Sequence, residues 1–183
     1  MIKILLNFDV NLNYPWLHWI VSIYMEIKVV ESKHWEEIKN IYQLGIDSGI
    51  ATFETAPPED FDHWLQKIDA NNSFIILENK IILGWASLSK VSTRSVYQGV
   101  GEISIYVHPE HKGRKVGESL YKHLEKNAKE AGYWTLQAQL FTSNIVSKAF
   151  FEKQGFRQVG IREKIGQLDS NWVDNYLYEK NFN

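Results

Sequence analysis

One stretch, Glu102 to Ala131, restricts the fold of this chain more than any other. Its first part, Glu102-Ile103-Ser104-Ile105-Tyr106-Val107, alternates as a half-buried strand does. Pro109 cannot donate to a ladder and ends that strand. A basic, glycine-containing turn follows, Lys112-Gly113-Arg114-Lys115-Val116-Gly117. Val116, Leu120, Leu124, Ala128 and Ala131 then recur on one helical face, and Gly132 is a natural stop. A strand feeding a helix through such a turn builds an anion site. The first amides of the helix lack intrahelical acceptors, and the positive end of the helix dipole points the same way. Lys112, Arg114 and Lys115 add formal charge, so phosphate or pyrophosphate is the natural ligand. The alternative is that Gly113 and Gly117 serve helix packing alone. The turn is neither a Walker loop nor a dinucleotide fingerprint, because Gly-x-x-x-x-Gly-Lys-Ser/Thr and Gly-x-Gly-x-x-Gly are both absent.

Composition narrows the class. The 183 residues are 44% apolar, enough for one well-filled α/β core. The net charge of −2 gives no nucleic-acid surface, so the basic turn is a local feature. The absence of cysteine excludes disulfides and thiolate catalysis and fits a cytoplasmic location. No apolar run reaches the roughly 18 residues of a membrane span. The six His residues show no metal spacing, and His108, His111 and His123 are expected to face solvent.

In chain order, residues 1–24 stand apart. Pro15-Trp16-Leu17-His18-Trp19-Ile20-Val21 is aromatic and apolar, yet too short for a span and without a cleavage signal. We read 1–24 as an N-terminal extension and 25–183 as a single domain. Glu26 to Val30 is the first strand. Ser32 is expected to cap a helix carrying Trp35, Ile38, Ile41 and Tyr42. Pro57-Pro58 is expected to start a second helix, with Trp64, Leu65 and Ile68 facing inward and Asn71-Asn72 at its end. Phe74–Leu77 and Ile81–Leu88 flank Glu78-Asn79-Lys80 as a hairpin. Ser89 to Gly99 is a polar connection carrying Arg94 and Tyr97. After the central strand and helix come a strand at Trp134–Leu140, a helix from Asn144 to Gly155, and two closing strands. The order is β-α-α-β-β-β-α-β-α-β-β.

That order, together with Lys112-Gly113-Arg114-Lys115-Val116-Gly117, resembles the GCN5-related N-acetyltransferases (GNAT), whose pyrophosphate loop reads Arg/Gln-x-x-Gly-x-Gly/Ala. Two positions depart from the family pattern: Lys112 replaces Arg/Gln, and Lys115 stands where glycine is usual. A positive φ at Lys115 would cost about 1 kcal/mol. Ala51-Thr52-Phe53-Glu54-Thr55, Arg94-x-x-Tyr97, Glu102-x-Ser104-x-Tyr106-Val107 and Trp172-Val173-Asp174 resemble the phosphinothricin and methionine sulfoximine N-acetyltransferases within it.

The resemblance implies an α/β (α+β) fold, a mixed sheet of about seven strands with a splayed parallel pair and about four helices. It implies acetyl-CoA as co-substrate, with pantetheine between the splayed strands on backbone groups of Ile105, Tyr106 and Val107. Lys112, Gly113, Arg114, Lys115, Val116, Gly117 and Glu118 would hold pyrophosphate, and Asn144 would contact the cofactor or simply cap its helix. Glu102 matches the carboxylate that takes a proton from the acceptor ammonium, and partial burial in a strand would strengthen it as a base. Thr52, Phe53, Glu54, Arg94, Tyr97, Glu102 and Ser104 would bind the acceptor, Arg94 by clamping a carboxylate. Phe151 falls where the family carries a proton-donating Tyr or His, which leaves Tyr106 or water as the donor to the thiolate. The expectation is an N-acetyltransferase for a small amino-acid-like acceptor. Alternatives are a polyamine, peptide N-terminus or aminoglycoside as acceptor, or a non-catalytic acyl-CoA sensor. Trp172 and Tyr176 near the closing strands suggest a homodimer.

Overall fold

The computed structural model describes residues 25–182. The N-terminal extension read at 1–24 lies outside them. The chain forms β1 (Glu26–Val29), α1 (Trp35–Asp47), α2 (Phe61–Leu65), β2 (Phe74–Glu78), β3 (Ile81–Lys90) and β4 (Val100–Val107). It continues with α3 (Val116–Glu130), β5 (Thr135–Phe141), α4 (Ile145–Lys153), β6 (Arg157–Leu168) and β7 (Asn171–Asn181). Seven strands make one sheet in the order β1-β2-β3-β4-β5-β7-β6. Every neighbouring pair is antiparallel except β4 and β5.

Strand alternation sends side chains to both sheet faces, and each face has its own core. On one side Leu88, Ile103, Leu136 and Ala138 pack against Val116, Leu120 and Leu124 of α3 and Phe151 of α4. On the other, Ile75, Ile82 and Trp85 pack against Trp35, Ile38 and Ile41 of α1 and Trp64 of α2. Burying two faces explains why β2 and β3 read as almost continuous apolar runs. Asn79 and Lys80 close the β2–β3 hairpin with φ of 51° and 69°, the left-handed pair that a two-residue turn requires.

Three local expectations change. Ser32 does not cap α1: it lies in a short 3₁₀ turn, Ser32–His34, held by the Glu31 amide donating to His34 Nδ1 at 3.1 Å. The second helix starts at Phe61 rather than at the prolines, because the Asp60 carboxylate accepts from the His63 amide at 2.8 Å. It ends at Leu65, and Asp69 caps a separate turn, Ala70–Asn72. His108, His111 and His123 are half-buried rather than solvent-facing, and His123 packs edge-on against Phe74 at 4.6 Å.

Candidate active site

The parallel pair stays together for three residues, Val100↔Thr135, Gly101↔Leu136 and Glu102↔Gln137, and then parts. The remainder of β4 therefore has one edge without a strand partner. Backbone alternation decides which residues face the opening. A Cβ built on Gly84 of β3 would lie 2.6 Å from the Tyr106 carbonyl oxygen, so Tyr106 directs its backbone toward β3. The Gly99 carbonyl accepts from the Trp134 and Thr135 amides on the β5 side. Odd-numbered residues thus face the gap. Ile105 and Val107 offer their amides and carbonyls there, and of the three residues expected, Tyr106 does not.

The basic turn sits at the mouth of this gap. Gly113 has φ 76°, and Lys115, the residue before α3, has φ 62° and ψ 15°. The left-handed lysine is the strained position that its departure from glycine implied. Among the described residues no carbonyl accepts from the amides of 113–118, and the first helical bond is Ser119 N–H to the Lys115 carbonyl at 2.9 Å. These amides, gathered at the positive end of a 15-residue helix, are what a pyrophosphate needs. A Cβ on Gly117 would lie 3.5 Å from Val107 and 3.7 Å from Phe150, so the helix start lies over the gap with Phe150 beside it.

The side chains of the turn are not equally available. Arg114 donates to both Glu78 oxygens at 2.8 Å, so its charge is already paired. Glu118 is engaged by Lys122 and Lys153, which hold its carboxyl below the usual range. Lys112 and Lys115 are exposed, and neither pairs with a carboxylate among the described residues. Asn144 caps α4: its Oδ1 accepts from the Ser147 amide, and its Nδ2 donates to the Ile50 carbonyl, each at 3.0 Å. Phe151 is 5% exposed and packs on Phe156, so it belongs to the core.

On the opposite face of β4 lies a cavity of about 740 Å³. Thr52, Phe53, Glu54, Glu102, Ser104 and Tyr106 all line it. The loop carrying the first three is seated by Phe53, which packs on Phe141 at 4.6 Å and lies against Gly166, where a Cβ would come within 2.8 Å of the ring. Tyr106 stacks on Trp85 at 4.5 Å, and burial pushes its hydroxyl pKa up, with Tyr42 adding to the rise. Glu102 sits where β4 and β5 part, and its Oε2 accepts from Gln139 Nε2 at 2.6 Å. The cavity thus joins a carboxylate to the opening between the strands.

Arg94 and Tyr97 are not brought to this cavity. Both are exposed, stacked on each other at 5.5 Å, and Tyr97 borders a smaller hollow of about 420 Å³ beside Thr135 and Gln137. Their turn follows β3 at the end where β4 and β5 are still paired, away from the opening. Sequence reasoning missed Gln139, Arg162, Ile165 and Asn175, which also line the cavity. Alternation along Thr135–Phe141 puts Gln137 and Gln139 opposite Leu136, Ala138 and Leu140, so Gln139 was findable. Arg162 and Asn175 depend on register in the last hairpin, for which no local signal exists.

The Acetyltransferase (GNAT) family model matches residues 35–156. A phosphinothricin N-acetyltransferase of Alcaligenes faecalis is 29% identical over 163 residues, 86% of this chain and 82% of its own length. A Salmonella typhimurium L-methionine sulfoximine/L-methionine sulfone acetyltransferase is 27% identical over 97 residues, 53% of this chain and 57% of its own. A GNAT superfamily phosphinothricin acetyltransferase from Sinorhizobium meliloti, solved in complex with AcCoA, superposes with a TM-score of 0.78 at 23% identity. That match covers 86% of this chain and 88% of that one. The seven-stranded sheet with its one parallel pair agrees with these matches, and the chain belongs to the Acetyltransferase (GNAT) family of N-acetyltransferases.

Proposed function

We propose that this enzyme moves the acetyl group of acetyl-CoA to the α-amine of a small amino-acid-like acceptor, phosphinothricin or methionine sulfoximine in type, in the cytoplasm. The observation that carries the reading is Glu102, a cavity carboxylate placed where β4 and β5 part. The free amides of 113–118, with Lys112 and Lys115, hold the pyrophosphate. The gap beside Ile105 and Val107 takes the pantetheine arm. An ammonium acceptor must first lose a proton, and Glu102 is the base that removes it. The neutral amine then attacks the thioester carbonyl, and amides on the open edge of β4 stabilise the oxyanion. The attached nitrogen then gives up its second proton, the C–S bond breaks, and the thiolate leaves with one proton, so that one proton per turnover is released through Glu102. Phe151 cannot supply the thiolate's proton, whereas the Tyr106 hydroxyl, kept protonated by burial, lines the cavity and can. The cavity carries carboxylates, Glu54 and Glu102, and cations, Lys67 and Arg162, a mixture that suits a zwitterion better than a polyamine or aminoglycoside.

We further propose a homodimer. Trp172 is 58% exposed and Ile161 52%, on the two strands that end the sheet. Light scattering at micromolar concentration tests this; a monomer mass rejects it. For the function, acetyl-CoA with a panel of amino acids, polyamines and aminoglycosides, read by thiol release, is expected to show turnover with amino acids. Tight acetyl-CoA binding without CoA release for any amine would leave a sensor instead.

A further inference from the structure

The cavity holds a chain of three polar side chains that crosses the sheet. Gln139 Nε2 donates to Glu102 at 2.6 Å, and Gln139 Oε1 accepts from Arg162 Nη1 at 2.9 Å. A carboxylate only accepts and a guanidinium only donates, so the amide can satisfy both in one orientation alone. The base and the cation are therefore held one carboxamide apart.

Arg162 reaches this place because β6 is irregular. Its pairing with β7 shifts once between Gln158 and Gly160, runs in register from Gly160↔Leu177 to Arg162↔Asn175, and resumes only at Gly166↔Val173, so that in this second shift three residues of β6 oppose one of β7. Lys164 turns left-handed there, φ 49°, and its amide donates to Asp174 Oδ1 at 2.7 Å. Bulges of this kind re-aim side chains beside functional sites. Here the bulge leaves both Arg162 and Ile165 on the cavity and seats Gly166 under Phe53. Arg162 faces no carboxylate within ion-pair distance among the described residues, so its guanidinium keeps donors beyond the one given to Gln139. The cavity's other cation, Lys67, lies 3.7 Å from Glu54.

Resting on the proposed function, we infer that Arg162, aimed by the β6 bulge, holds the acceptor's carboxylate, and that Gln139 sets its distance from Glu102. One carbon separates the amine and carboxylate of an α-amino acid. Such a zwitterion spans the interval that Gln139 bridges, with its carboxylate on Arg162 and its ammonium on Glu102 at the mouth of the gap. A planar guanidinium with unspent donors suits a carboxylate, because paired N–H donors meet both oxygens. Arg94, exposed and stacked on Tyr97, is not placed to do this within one chain.

The test compares L-methionine sulfone with its carboxamide, which keeps the amine and removes the anion. In Arg162→Ala, KM for the acid is expected to rise about 10- to 100-fold, while KM for the carboxamide and for acetyl-CoA moves less than about 3-fold. Arg162→Lys, which keeps the charge and loses the fork, is expected to fall between. Equal changes for acid and carboxamide would overturn the assignment, as would an acid-specific loss confined to Arg94→Ala. Wild-type enzyme inactive on every amino acid defeats the proposed function and this inference with it. Wild-type activity unaffected by Arg162→Ala defeats the inference alone.

Discussion

Arg114 turns away from the free amides of its own turn and donates to both carboxylate oxygens of Glu78, 2.8 Å from each. The pair joins the end of β2 to the turn before α3. It shows that a basic residue beside free helix-start amides can be spent on a carboxylate of the protein itself. In the proposed reading the amides, with Lys112 and Lys115, are left to hold the pyrophosphate.

Arg114→Ala is therefore expected to change the acetyl-CoA dissociation constant by less than about 3-fold, since the lost charge was already compensated. Lys115→Ala removes an unpaired charge and is expected to weaken binding more steeply at low salt than at high. Calorimetric titration at two salt concentrations checks both. A larger loss for Arg114→Ala than for Lys115→Ala would contradict the pairing.

Gly117 separates steric from electrostatic demands. A Cβ there would meet Val107 at 3.5 Å, an ordinary contact, so Gly117→Ala should fold and bind nearly as wild type. Gly117→Asp places a negative charge in the first turn of α3. That charge favours the free helix by about 0.3–1 kcal/mol and opposes pyrophosphate. The expected result is an unchanged or slightly raised Tm without ligand, and loss of most of the Tm increase that acetyl-CoA gives wild type. A full ligand-induced increase in Gly117→Asp would remove the turn from the cofactor site.

The strand, turn and helix around Lys112–Gly117 were legible because alternation, proline, glycine and helical spacing are all local signals. Lys115 at φ 62° was also legible, as a departure from the glycine that its place in the turn calls for. The start of α2 was not, because proline and aspartate both favour helix starts and only the Asp60–His63 contact shows which one caps. Arg94 is a different case: within one chain it does not line the cavity. An Arg and a Tyr three residues apart in a polar connection look like a binding pair, yet which end of the sheet they occupy is a property of the β3–β4 register. Arg162 escaped for the same reason: its role hangs on a bulge whose extra residues look like continuous strand.

Two histidines give the fold a pH dependence. Burial pushes the pKa of His123 down, with Lys126 adding to the fall, and burial lowers His34 as well. A base whose folded pKa is depressed costs nothing above its unfolded value, about 6.5, and stability is lost as pH drops through the folded value. His34 also accepts the Glu31 amide at Nδ1, which protonation would forbid. Stability is expected to decline between pH 7 and pH 5, above the range where Glu118 and Glu125 begin to protonate. His123→Phe keeps a ring against Phe74 and removes one titration. Urea midpoints across this window should fall less steeply in the variant; identical slopes would show that His123 contributes nothing.

Glu102 carries the sharpest prediction, because it stands where β4 and β5 part. Its Oε2 is held by Gln139, so the base is oriented before any acceptor arrives. Glu102→Gln keeps the shape and removes the proton acceptor. Turnover is expected to fall about 10²- to 10⁴-fold. The acetyl-CoA dissociation constant should hardly move, since the amides of 113–118 lie beyond the far end of β4. The remaining rate should climb with pH, as more of the acceptor becomes neutral without help, until it follows the acceptor's own titration. Wild type, with its base in place, should reach its plateau at lower pH. Rate profiles measured from pH 6 to pH 10 at saturating acetyl-CoA distinguish the two. If Glu102→Gln turns over like wild type with the same profile, the acceptor is deprotonated elsewhere and Glu102 serves only to anchor Gln139.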